Sequence, residues 1–166
     1  MSFAQQSATF LSPGESFRPK GRRISPRDSS PDSTSEALRI LVVEDHPMAR
    51  KTICDLLQFE LRFEVVWEAE NGLDGVSSAA ALQPDVVLLD ITMPTLGGIE
   101  AAVRIRRVAP KARIIFLSQH NLKKLAQAAL ATGAHGYVLK STAGTDLIPA
   151  IRAVMAGEKF VSKLGR

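Results

Sequence analysis

An α/β fold built on a doubly wound parallel sheet is what this sequence predicts. Three observations carry the prediction. From Leu38 onward, short β-branched apolar runs alternate with stretches of helical periodicity. Turn residues punctuate each changeover. Two of the runs, Ile40-Leu41-Val42-Val43 and Val86-Val87-Leu88-Leu89, are apolar without interruption. Uninterrupted runs suit strands buried on both faces, as parallel strands covered by crossover helices are. Right-handed crossovers then place helices on both sides of one sheet.

Taken in order, strands are expected at residues 39–44, 63–68, 85–89, 113–117 and 136–139. Helices are expected between them near 48–59, 72–81, 98–108 and 122–132, with a last one from about 145 to 156. Pro47 fits a first helical turn, where no backbone donor is needed. Gly133 is placed to end its helix in a left-handed conformation. Thr145 is a candidate N-cap for the last helix. That start puts Pro149 at the fourth helical position, where one ladder bond is lost within the first turn.

The length of 166 residues allows one ordinary domain with a tail, or two very small domains. Composition divides the chain. Residues 1–37 are rich in Ser and Pro, and Pro13, Gly14, Pro19 and Gly21 break the seven-residue spacing of Phe3, Phe10 and Phe17. This segment is expected to be a disordered extension. Residues 38–157 form the expected domain, and 158–166 a C-terminal linker or tail. Hydrophobic residues at 45 % and charged residues at 23 % give a globular balance. No run nears the roughly 18 apolar residues of a membrane span. The formal charge of +4 divides as +1 on residues 1–37 (five basic, four acidic) and +3 on the rest. One cysteine, Cys54, excludes an internal disulfide and a cysteine zinc site. With no secretory signal in the first thirty residues, a reducing, cytoplasmic setting is the default.

Polar residues interrupt the pattern at strand ends. The first strand ends in Glu44-Asp45, the third in Asp90, the fourth in Ser118 and the fifth in Lys140. Ligands of open parallel sheets bind at this edge. A lone acid at a strand end is most often a helix cap or turn residue. Capping does not account for so many at one edge. Three carboxylates gathered there repel one another unless a cation joins them. A hard divalent ion with oxygen ligands answers this, and Mg²⁺ suits one or two carboxylates with waters and a phosphoryl oxygen.

Ile40-Leu41-Val42-Val43-Glu44-Asp45-His46-Pro47 and the run from Asp85 through Asp90-Ile91-Thr92-Met93-Pro94 to Gly97-Gly98 resemble receiver domains of two-component response regulators. Ile115-Phe116-Leu117-Ser118 and Gly136-Tyr137-Val138-Leu139-Lys140-Ser141 complete the resemblance, which covers about residues 38–157. The Glu-Asp-His-Pro start and the Ala150–Gly157 ending are most similar to the NarL/FixJ-type subfamily. The resemblance implies a CheY-like (flavodoxin-like) fold with five helices and a five-stranded sheet of order 2-1-3-4-5. It implies that Asp90 is the phosphoacceptor, and that Asp45, Asp90 and the Thr92 backbone carbonyl hold Mg²⁺, with Glu44 acting through a water. Lys140 would pair with Asp90 at rest and with the phosphoryl group after transfer. Ser118 would bond that group, and its inward movement would let Tyr137 turn from exposed to buried. Pro94, Gly97 and Gly98 would shape the loop after Asp90, while Thr92 and His120 flank the pocket. His46 is better suited to a supporting or surface place than to a hard ion. Cys54, Trp67 and Met93 fit packing roles.

The function so implied is a signal-transduction switch and not an enzyme, with self-catalysed phosphotransfer and autodephosphorylation as its only chemistry. Its partner would be a sensor histidine kinase or phosphotransfer protein. Candidate contact surfaces are the helix-four, strand-five face and the first and last helices; the resemblance favours the last of these for a homodimer. A degenerate receiver that no longer cycles phosphate is the alternative, and the intact Glu44, Asp45, Asp90, Ser118 and Lys140 argue against it. A nucleotide or flavin binder ranks last, since no glycine-rich phosphate motif follows the first strand. The subfamily's helix-turn-helix module would begin beyond Arg166, so no sequence-specific DNA binding is expected of these residues.

Overall fold

The computed structural model describes residues 36–165. All but the last two residues of the predicted extension therefore lie outside the described residues. The strands are β1 (Leu38–Val43), β2 (Phe63–Ala69), β3 (Val86–Asp90), β4 (Arg113–Ser118), β5 (Gly136–Leu139) and β6 (Phe160–Val161). The helices are α1 (Pro47–Gln58), α2 (Gly72–Leu82), α3 (Gly98–Val108), α4 (Lys123–Ala131) and α5 (Ala143–Met155). All strands pair in parallel, in the order β2-β1-β3-β4-β5-β6.

The sheet thus has six strands where five were expected, and the sixth uses residues 160 and 161 of the expected linker. The physical cause is the turn that ends α5. Gly157 adopts φ 86, Gly157 N–H donates to the Val154 carbonyl, and Glu158 N–H donates to the Ala153 carbonyl. This left-handed helix stop turns the chain back toward the sheet. Phe160 N–H then bonds the His135 carbonyl and Ser162 N–H the Tyr137 carbonyl, which closes the outer edge of β5. Two residues are too few for strand periodicity to show.

The start of α5 also differs from expectation. A short 3₁₀ turn, Lys140–Thr142, runs straight into the helix, and Thr142 takes the cap position expected of Thr145. Pro149 therefore lies inside the helix as its seventh residue, and leaves the Thr145 carbonyl without its ladder donor. Gly133 does end α4, at φ 87.

Alternation along the strands sorts the core into two layers. Leu41, Val43, Val87, Leu89, Ile114 and Phe116 face α2, α3 and α4. Ile40, Val42, Val86, Leu88, Ile115 and Leu117 face α1 and α5, through Ile53, Leu57, Leu147, Ile151 and Val154. Each fully buried aliphatic side chain contributes about 1.5–3 kcal/mol. The sheet is thereby pinned from both sides, and its loops project from its ends.

Cys54 belongs to the second layer at 5 % exposure. Burial, followed by the nearby Glu68 charge, pushes its thiol up to about 12. The native protein is therefore expected to resist iodoacetamide at pH 8 and to alkylate fully in denaturant. Mass spectrometry on both samples checks this, and equal labelling would contradict it.

Candidate functional site

Because every strand runs the same way, all carboxyl ends meet at one edge. Glu44 leaves β1 fully buried, and Asp90 closes β3 at 2 % exposure. Gly98 makes the close approach behind Asp90 possible. A Cβ at Gly98 would overlap the Asp90 carbonyl oxygen, whereas one at Gly97 would meet nothing nearer than 3.8 Å. Only the second glycine of the pair is therefore required by contact. Between them and Asp90, Leu96 N–H donates to the Pro94 carbonyl at 2.8 Å around Thr95, whose φ is 69. This is a γ-turn with a β-branched residue in the left-handed region, a strained arrangement. Ile91, Met93 and Leu96 sink into the core and hold it.

Lys140, just after β5, reaches back across the edge. Its Nζ lies 2.6 Å from Glu44 Oε2 and 3.0 Å from Asp90 Oδ1. The Glu44 contact is an ion pair by distance, without well-aligned hydrogen-bond geometry. Glu44 therefore touches the ammonium directly and more closely than Asp90 does. His46 is exposed, with its Nδ1 3.1 Å from Asp45 Oδ1 and 3.5 Å from Glu44 Oε1. Arg50 grips the Glu44 backbone carbonyl at 2.7 Å but spends its charge on Glu68 and Glu70.

Asp90 Oδ2 is buried and has no hydrogen-bond partner among the described residues. Burial raises the Asp90 pKa, aided by the Glu44 charge; Lys140 and the Thr92 backbone N–H work against the rise. For Lys140, burial disfavours the ammonium, but its close contacts with Glu44 and Asp90 outweigh that and its pKa is raised. Glu44, Asp45, His46 and Asp90 can each turn a ligand atom to within 4.8 Å of the others. Three carboxylates face one ammonium here, so negative charge remains unbalanced. The orphaned Asp90 oxygen and this surplus fit a hard, oxygen-seeking cation. Thr92 is exposed, two residues beyond Asp90.

Ser118 and Tyr137 lie one step further along the edge. Ser118 is 1 % exposed, and its Oγ accepts the His120 N–H at 3.0 Å, so it faces its own loop. Tyr137 is already fully buried while Ser118 faces its loop, not exposed as expected before Ser118 moves, because its hydroxyl finds an acceptor inside, the His120 carbonyl at 2.8 Å. His120 thus joins these two residues through its backbone, a link with no sequence signal. Asn121 and Asp146 carry no sequence signal that marks them, and Ser162 only its place in the expected linker. Ser162 is buried, and its hydroxyl bonds Asp146.

Comparison with known proteins agrees with this geometry. Residues 40–152 match the response regulator receiver domain family. The nitrate/nitrite response regulator protein NarL of Escherichia coli K12 is 37 % identical over 131 residues, covering 79 % of this chain and 61 % of NarL. The response regulator protein VraR of Staphylococcus epidermidis is 34 % identical over 122 residues, covering 74 % of this chain and 58 % of VraR. The chain therefore spans about three fifths of the length of these curated relatives. Among solved structures, a LuxR-family two-component response regulator from Aurantimonas sp. SI85-9A1 superposes with TM-score 0.73 at 35 % identity, covering 76 % of this chain and 91 % of that one. The isolated REC domain of RcsB from Salmonella enterica serovar Typhimurium, solved with phosphomimetic BeF₃⁻, gives TM-score 0.71 at 29 % identity, covering 77 % and 95 %. With its acids gathered at the carboxyl edge of a parallel sheet and its family matched from β1 into α5, this chain belongs to the response regulator receiver domains.

Proposed function

We propose that the chain is a phosphorylation-controlled switch in which Asp90 accepts a phosphoryl group from a histidine kinase or phosphotransfer protein. One observation supports this above the rest: Asp90 Oδ2 is buried without a hydrogen-bond partner while Oδ1 is held by Lys140. The carboxylate is thereby oriented, with one oxygen left without a partner among the described residues. In the transfer, an Asp90 carboxylate oxygen forms a bond to phosphorus as the P–N bond to the donor imidazole breaks, and the departing ring nitrogen takes a proton from solvent. Positioning and charge neutralisation supply most of the rate in such reactions. Lys140 is within reach of the incoming oxygens because it already contacts Asp90. A Ser118 rotamer change would bring its hydroxyl from the His120 N–H to the phosphoryl group.

Asp45 and Asp90, together with the Thr92 carbonyl, would hold Mg²⁺, with Glu44 supporting through water or through Lys140. Bound Mg²⁺ would neutralise charge on the phosphoryl oxygens. We place the output on a protein-contact surface, a homodimer through the first and last helices included. On this reading the chain is a phosphoacceptor, with no turnover of a separate substrate. No described helix is long and apolar enough to cross a membrane. Incubation with Mg²⁺ and a radiolabelled small phosphodonor is expected to label the wild type, with Asp90→Asn falling to background. Equal label on the variant would refute the assignment.

A further inference from the structure

The segment after β6 is tied to the same edge at two places. Ser162 Oγ accepts the Leu139 N–H at 3.1 Å and donates to Asp146 Oδ2, while Thr142 Oγ1 donates to that same carboxylate oxygen at 2.7 Å. These bonds, Ser162's first, hold the Asp146 carboxyl below its ordinary range. Leu139 and Thr142 bracket Lys140, so the buried serine fastens the short stretch that carries the site's ammonium. Further on, Leu164 packs against the core layer that contains Tyr137, and Gly165 N–H donates to Asn121 Oδ1. Asn121 directly follows His120, whose backbone holds both Ser118 Oγ and the Tyr137 hydroxyl.

We infer that residues 160–165 are a strap whose docking on β5 is coupled to the phosphorylation state of Asp90. The inference rests on the phosphoacceptor reading. A rotamer change that swings Ser118 Oγ toward a phosphoryl group gives up the bond from His120 N–H. The loop position that aligns Asn121 with Gly165 then loses its anchor. Lys140, drawn to the same group, pulls on the Leu139–Thr142 stretch that Ser162 holds. The strap is fully seated only in the resting arrangement. Coupling is reciprocal, so weakening the strap must favour the phosphorylated arrangement.

Hydrogen exchange on the whole chain with Mg²⁺, with and without beryllofluoride, tests this. The reporting amides are Phe160, Ser162 and Gly165, whose acceptors are the His135 carbonyl, the Tyr137 carbonyl and Asn121 Oδ1. Beryllofluoride is expected to speed their exchange about fivefold or more, within the usual range of allosteric coupling. Ser162→Ala and, separately, Asn121→Ala are expected to tighten beryllofluoride binding by a similar factor. Bound beryllofluoride is followed independently by its fluorine resonance. A normal fluorine signal with unchanged strap exchange and unchanged variant affinities would overturn the strap and leave the phosphoacceptor reading intact. Absence of the fluorine signal would overturn both.

Discussion

Lys140→Ala is expected to lose about 3–5 kcal/mol of folding stability at neutral pH in metal-free buffer, the usual result of stripping one partner from a buried ion pair. The variant leaves Glu44 and Asp90, at 0 % and 2 % exposure, facing each other with no ammonium between them. Asp90 is already raised by burial and by Glu44. Removing Lys140 takes away the main opposing influence and raises it further. A carboxyl raised in the folded state binds protons more readily folded than unfolded. Stability of the variant therefore increases as pH falls from neutral through the raised folded pKa toward the ordinary carboxylate range. The deficit against wild type should shrink at pH 5, and millimolar Mg²⁺ should stabilise the variant more than the wild type. Urea midpoints at two pH values, with and without Mg²⁺, measure all three effects. Coincident curves for variant and wild type would discard the charge-balance account.

Gly98→Val is expected to destabilise by about 3 kcal/mol or more, because the added atoms overlap backbone that cannot yield as a side chain would. The overlap is with the Asp90 carbonyl oxygen and the Ile91 Cα. Gly97→Ala, one residue away, should change stability by less than about 1 kcal/mol, since its Cβ would reach only ordinary contact distance. Thermal denaturation of the two single variants separates the roles of adjacent, chemically identical residues. Similar losses at both would show that the turn, rather than the Asp90 contact, needs glycine.

Long apolar runs were legible, and with them the sheet. Val86–Leu89 could hardly be anything but a buried strand, so the charged residue that ends it stood out. Glu44, Asp90 and Lys140 stood out for the same reason, as polar residues closing apolar runs. Less was legible where two residues compete on equal chemistry. Thr142 and Thr145 are both fit to cap α5, and only the 3₁₀ turn after β5 selects Thr142. The pairing of Lys140 with Glu44 could not be read either, because strand ends reveal a shared edge and not which acid lies nearest. Ser162 and Asp146 are sixteen positions apart and carry no periodic signal. Their contact exists only because Gly157 turns the chain back.

The central place of β1 also bears on how the chain is made. β1 leaves the ribosome early, yet its inner partner β3 lies at Val86–Asp90. At roughly 5–20 residues per second, Ile40–Val43 waits on the order of seconds without that partner. An exposed apolar run of high β-propensity is an aggregation hazard, and flanking charges suppress it. Glu44 and Asp45 are such a flank for β1, Asp90 for β3 and Lys140 for β5. Residues that gather at one edge of the finished sheet are thus spread through the nascent chain as guards beside three of its sticky runs.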